Sequence, residues 1–133
     1  MLEDFIESNK LKARIMPFHR SSNLIKCRFF LADESPVLVV ASAFARLDEQ
    51  KIRKELECKM LEDPLEKEAL EMTGYPLDFL PPISIYGIRV LIDKKLFGNG
   101  NLYCKVSETD CLEITAEEIR EQNDEAVVGD YSR

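Results

Sequence analysis

Apolar and polar positions fall into short blocks along this chain, each with its own period. Leu2, Phe5, Ile6 and Leu11 recur at helical spacing and predict a short amphipathic helix over residues 2–10. Residues 13–18 alternate instead, predicting a strand that Pro17 ends. From Leu24 to Leu31 the alternation is stricter. Leu24, Lys26, Arg28 and Phe30 share one face. Ile25, Cys27, Phe29 and Leu31 share the other, which is wholly apolar and therefore the core side. Residues 32–36 predict a hairpin loop. The unbroken run Val37-Leu-Val-Val-Ala41 marks a central strand covered on both faces.

The period then becomes helical. Asp48 is an N-cap ahead of Ile52 and Leu56. Residues 58–61 fit a short strand. Asp63-Pro64 predicts a second helix start, a cap followed by proline at the first helical position. Gly74 ends that helix in a left-handed conformation, and Pro76 forbids its resumption. An apolar loop follows from Leu77 to Ile83, stiffened by Pro81 and Pro82. Set between a helix end and a strand over 88–92, it is either a pocket wall or a buried crossover. One helical turn over 93–97, a turn at 98–100 and strands over 101–106 and 111–114 come next. Thr115-Ala-Glu-Glu118 fits a capping box for a last helix to about residue 122. Residues 123–133 are polar and are expected to fray as a flexible tail. The fold class expected is α+β: a single domain over 1–122, with a mixed, mostly antiparallel sheet surrounded by short helices.

Composition narrows the function classes. A chain of 133 residues can bury one proper core. No apolar run approaches the ~20 residues that span a bilayer, and the acidic start lacks the apolar run of an export signal. Cys27, Cys58, Cys104 and Cys111 form no Cys-x-x-Cys and, with one histidine, make a poor zinc set. They read as reduced thiols in the cytoplasm, with no metal and no cofactor expected. The net charge of −7 is uneven: residues 8–32 hold no acid and carry +6, leaving −13 on the rest. Lys10, Lys12, Arg14 and Arg20 are therefore candidates for RNA contact. The other reading is a solvated face whose neighbours in space supply the acids.

The chain has no Gly-rich phosphate loop, no metalloprotease helix and no nucleophile elbow. His19 is the single histidine and has no evident partner. Lys26 and Arg28 stand opposite the core side of their strand, in a cleft or in water.

Several segments in order carry a resemblance. They are Lys26-Cys-Arg-Phe-Phe-Leu, Pro36-Val-Leu-Val-Val-Ala, Leu47-Asp, Thr73-Gly-Tyr-Pro, Pro81-Pro82, Val90-Leu-Ile-Asp93, Leu102-Tyr and Leu112-Glu-Ile-Thr. Over roughly residues 2–120 the chain resembles the YbaK/prolyl-tRNA-synthetase-associated editing domain family. The resemblance implies a small α+β domain that hydrolyses the ester joining a wrong amino acid, often alanine or cysteine, to tRNA. It implies Lys26 as the active-site lysine. It places Arg28, Asp78, Phe79, Leu80, Pro81, Pro82, Ser84 and Lys105 at the substrate. The implied partners are the aminoacylated 3′ end of tRNA and an aminoacyl-tRNA synthetase.

The departures from the family pattern are specific. Residues 78–85 lack the glycines and the histidine that flank the family's paired prolines, which predicts a smaller or closed pocket. Residues 105–110 lack the glycine of a later turn. Six residues separate His19 from Lys26 where relatives carry a helix. Two readings follow: a deacylase, or a catalytically degenerate module that binds tRNA or a synthetase-like partner. They part on whether an open pocket stands between Lys26 and residues 78–84.

Overall fold

A tight hairpin sets the frame. The computed structural model describes residues 1–133. In chain order it begins with α1 (Leu2–Ser8) and β1 (Arg14–Pro17), then β2 (Leu24–Ala32) and β3 (Ser35–Ser42). β2 and β3 pair antiparallel, from Ile25 opposite Ser42 to Ala32 opposite Ser35. Only Asp33 and Glu34 form the turn, both at positive φ (46° and 73°), the geometry whose twist matches that of a hairpin. The loop is thus shorter than the sequence pattern implied. The Asp33 carboxylate accepts from the Lys59 and Met60 amides, which hold it below the ordinary carboxylate range.

The chain continues through α2 (Glu49–Leu56), β4 (Leu61–Glu62), α3 (Glu66–Thr73), a 3-10 turn (Leu77–Phe79) and β5 (Arg89–Asp93). A second 3-10 turn (Lys94–Leu96), β6 (Asn101–Lys105), β7 (Asp110–Thr115), α4 (Ala116–Glu121) and β8 (Val127–Gly129) complete it. The strands form one mixed sheet in the order β1-β7-β6-β2-β3-β5-β8, with β4 added to the end of β2. The β2–β6, β3–β5 and β5–β8 pairs are parallel and the others antiparallel. Val37 to Ala41 of β3 are buried, as a strand paired on both sides and covered on both faces must be.

The faces are covered unequally. Ile25, Cys27 and Phe29 join Leu38, Val40, Ile92, Leu102 and Leu112 in the larger core. α1, α4 and the proline loop close it through Leu2, Ile119, Leu80 and Ile83. On the opposite face Phe30, Val37, Val39 and Leu91 pack under Ile52 of α2 and under Tyr131. Lys26 and Arg28 lie on that second face and are exposed.

Three expectations are corrected. Residues 123–133 do not fray: β8 adds to β5, and Tyr131 and Ser132 are each 1% exposed. The segment looks polar because its anchors are one tyrosine and several hydrogen bonds rather than an apolar run. Asp63 does not cap α3, which starts at Glu66 with the Leu65 amide held by Glu68 at 2.9 Å. Pro64 is buried and Asp63 turns to Arg28, 3.7 Å away. The short strand expected over 58–61 lies instead at Leu61–Glu62.

Candidate functional site

β2 supplies the site because its two edges are paired unequally. One edge is zipped to β3 along its length. On the other, β6 meets only Leu24 and Ile25, and β4 meets only Leu31 and Ala32. Residues 26–30 have no strand beside them on that edge. The Leu24 carbonyl accepts from Ala43 on the β3 side, and the Asn23 carbonyl accepts from Tyr103 on the β6 side. Continued alternation turns the main-chain N–H and C=O of Cys27 and Phe29 toward the gap.

Across that gap stand Asp63, Pro64, Leu77 and Asp78. With Lys26 to Phe29 they enclose a slot of about 270 Å³. Lys26 has no carboxylate within ion-pair reach. Arg28 closes one side, with its guanidinium near Asp63 and 5.1 Å above the Phe30 ring. The Cys27 side chain points the other way, into the core. Burial, and then the neighbouring Cys104 thiol, push the Cys27 pKa well above its ordinary value. It stays a protonated thiol and is no nucleophile. His19 packs edge-on against Tyr103 at 4.7 Å. No three His, Cys, Asp or Glu side chains converge to hold a metal. The slot offers a free ammonium, two main-chain N–H groups and carboxylates. That set can orient and polarise an ester for water.

The structure brings together only part of the set expected from sequence. Lys26, Arg28 and Asp78 line the slot. Phe79 is half-buried beside it and does not fill it. Leu80, Pro81, Pro82 and Ser84 turn inward as a buttress. The Leu80 carbonyl accepts from the Cys104 thiol, the Pro82 carbonyl from Asn123 Nδ2 at 2.8 Å, and Ser84 Oγ from the Tyr75 hydroxyl at 3.0 Å. None of these four residues lines the slot, which meets that loop only at Leu77 and Asp78. Lys105 sits apart, over the Phe18 ring and near Glu108.

The basic segment is dispersed. Arg14 pairs with Glu113 at 3.0 Å, and Lys12 gives its amide to Glu118. Lys10 is exposed beyond α1, and Arg20 borders a separate hollow. Sequence reasoning missed Pro64 as a wall and read Asp63 as a helix cap, while Leu77 opens the loop it offered as a pocket wall. The oddity of an Asp-Pro pair just before an apolar Leu was the available signal. A roomier hollow of about 670 Å³ lies between Tyr86–Arg89 and Gln122–Glu125. Asp124 and Glu125 at its rim suit it poorly to a polyanion.

Known proteins place this architecture. Residues 16–121 match the aminoacyl-tRNA editing domain family. A proline--tRNA ligase from Syntrophus aciditrophicus (strain SB) is 29% identical over 87 residues, which are 65% of this chain and 15% of that ligase. The chain therefore spans a small part of the curated relative it matches. A crystal structure of a candidate trans-editing enzyme for prolyl tRNA synthetase superposes with a TM-score of 0.85 at 17% identity, over 99% of this chain and 94% of that one. A hypothetical protein of known structure superposes with a TM-score of 0.87 at 22% identity, over 99% of each chain. No helix is long and apolar enough to cross a membrane. With the match running from the end of β1 through α4, the chain belongs to the aminoacyl-tRNA editing domain family.

Proposed function

We propose that this chain hydrolyses the ester that links a wrongly attached small amino acid, alanine or cysteine, to tRNA. The observation that carries the reading is the open slot of about 270 Å³ with an unpaired Lys26 on the unzipped edge of β2. Water attacks the ester carbonyl. The C–O bond to the terminal ribose breaks, and a proton passes to the leaving ribose oxygen, with the neighbouring ribose hydroxyl as shuttle. Lys26 holds the charged 3′ end. The N–H groups of Cys27 and Phe29 face the region where carbonyl oxygen charge develops, so catalysis is by positioning and electrostatic stabilisation. Pro64 and Leu77 leave room for a short side chain. A prolyl-tRNA synthetase is the partner we propose, because the chain is similar to a segment of a proline--tRNA ligase.

One observation favours a second reading. Leu80 to Ser84 present no main chain to a substrate, since they are buried. On that reading the chain is a degenerate module that grips tRNA or a synthetase-like partner. Deacylation assays on Ala-, Cys- and Pro-tRNA decide between them. Hydrolysis by the wild type, lost in Lys26→Ala at an unchanged melting temperature, supports the deacylase. No hydrolysis of any mischarged tRNA transfers the reading to the binding module.

A further inference from the structure

One hollow on the Lys26 side of the sheet is not used by the slot. It is lined by Phe18, Arg20, Ser21, Ser22, Leu24 and Phe44 and has a volume of about 830 Å³. Phe44 is 72% exposed, unusual for a phenylalanine in a protein with a well-filled core. The main chain that carries each ring is held. The Phe44 amide donates to Ser42 Oγ at 3.2 Å, and the Phe18 amide donates to the Thr109 carbonyl at 2.8 Å. Lys105, which pairs with Glu108, lies 5.2 Å from the centre of the Phe18 ring, and Arg20 lines the hollow itself. No carboxylate lines the hollow. Two aromatic rings with a guanidinium beside them form the arrangement on which unpaired bases stack.

Position narrows the occupant. Leu24, the floor, shares its strand face with Lys26 two residues on. At a strand's rise that separates their Cα atoms by about 7 Å. A ribose spans a comparable distance from its base to the oxygen that carries an acyl group. We infer that Phe44, Phe18 and Leu24 form a cup for the unpaired 3′-terminal nucleobase of tRNA, seated so that the ester on its ribose lies over Lys26. The inference deepens the deacylase reading and rests on it for the place of the ester. Stacking itself is measurable without hydrolysis. Because every base has a π-face, the cup reads an unpaired end rather than a sequence.

The test uses the full chain and an uncharged RNA hairpin whose unpaired 3′ end finishes in 2-aminopurine. Binding by the wild type should quench the fluorescence of that base. Phe44→Ala should remove the quench and weaken binding about ten-fold, and Phe44→Tyr should restore both. The melting temperature should not move, because the ring is already mostly in solvent. Equal quench and equal affinity in Phe44→Ala would overturn the cup. So would undiminished affinity for a hairpin lacking its terminal nucleotide, and this face would then be one for a protein. Hydrolysis by a wild type that shows no quench overturns the cup and leaves the deacylase standing. A Phe44-dependent quench without hydrolysis upholds the cup and removes the deacylase.

Discussion

Lys26 and Lys51 belong to the same side of the sheet and are used in opposite ways. Lys51, on α2, donates to Asp130 Oδ2 at 2.7 Å and to the Ser132 carbonyl at 3.3 Å. Lys95 reaches the same segment, donating to Ser132 Oγ at 2.9 Å. Between them Tyr131 is buried, its hydroxyl donating to Glu55 at 3.1 Å. Burial, and then Glu55, raise the Tyr131 pKa, which keeps that hydroxyl a donor. The positive charges of Lys51 and Lys95 are consumed in fastening the C-terminal segment. Lys26 lies in a slot with two carboxylates in its lining, yet the nearer pairing, Asp63 with Arg28, leaves the ammonium free. The contrast separates a lysine that completes the fold from one available to a ligand.

The largest effect should come from the fastened side. Tyr131→Ala removes a side chain that is 1% exposed and leaves its cavity beneath β8. By analogy with other buried aromatics the loss should be about 3–5 kcal/mol, read from urea or thermal unfolding. Activity per folded molecule should persist. A stable Tyr131→Ala protein that has lost deacylation would tie the segment to the site and break the contrast.

Lys26→Ala should do the reverse. Deacylation should fall about 100- to 1000-fold in kcat if the ammonium acts as one preorganised electrostatic group. Unfolding should change by no more than about 0.5 kcal/mol, as expected of an exposed residue without partners. Lys26→Arg should rescue poorly, because a planar fork does not occupy the place of a compact ammonium. Lys51→Ala should lower the melting temperature and leave kcat alone. If both lysine variants behave alike, the distinction is wrong.

Arg28 stands between the two cases. It is tied to Asp63 by a long contact and rests on Phe30, with 43% and 76% of the Arg28 and Asp63 side chains exposed. Such a pair contributes about 0.2–1 kcal/mol. A double-mutant cycle with Arg28→Ala and Asp63→Ala measures that coupling. If Arg28 also guards the slot, its loss should raise KM more than it lowers kcat. A coupling near zero with an unchanged KM would make Arg28 a bystander.

What the sequence showed depended on how local the cause was. Alternation in β2 correctly put Ile25, Cys27 and Phe29 inward and Lys26 outward, because side-chain period in a strand is a property of the strand. Asp48, Gly74 and Thr115 end or open helices through hydrogen bonds and dihedrals within a few residues, and all three do so here. The capping box was half right. Thr115 caps α4, but the Glu118 carboxylate crosses to the Lys12 and Ala13 amides. Those partners are over 100 residues away in sequence, beyond any local pattern. The same holds for Tyr131 and for Pro64 as a wall of the slot. The open edge of β2 depends on where two other strands stop, and no window of β2 contains that.

The smallest expected effect is on the acid limb of stability. Asp130 is held below the ordinary carboxylate range first by its hydrogen bond from Lys51, then by the charges of Lys51 and Lys95. A carboxyl whose pKa is lower folded than unfolded adds stability above its unfolded value. That stability is lost as pH falls through the lowered, folded value. Asp33, lowered by the Met60 and Lys59 amides, adds a second contribution of the same sign. Melting temperatures followed from about pH 6 to about pH 2 should therefore fall in the wild type. They should fall less in Asp130→Asn, which starts lower because it has already lost the ion pair. Lys26→Ala should run parallel to the wild type, since no carboxylate in the fold is paired with that ammonium. A flatter acid limb in Lys26→Ala would mean that Asp63 or Asp78 holds Lys26 in solution. The free cation on which the contrast and the deacylase reading both depend would then not exist.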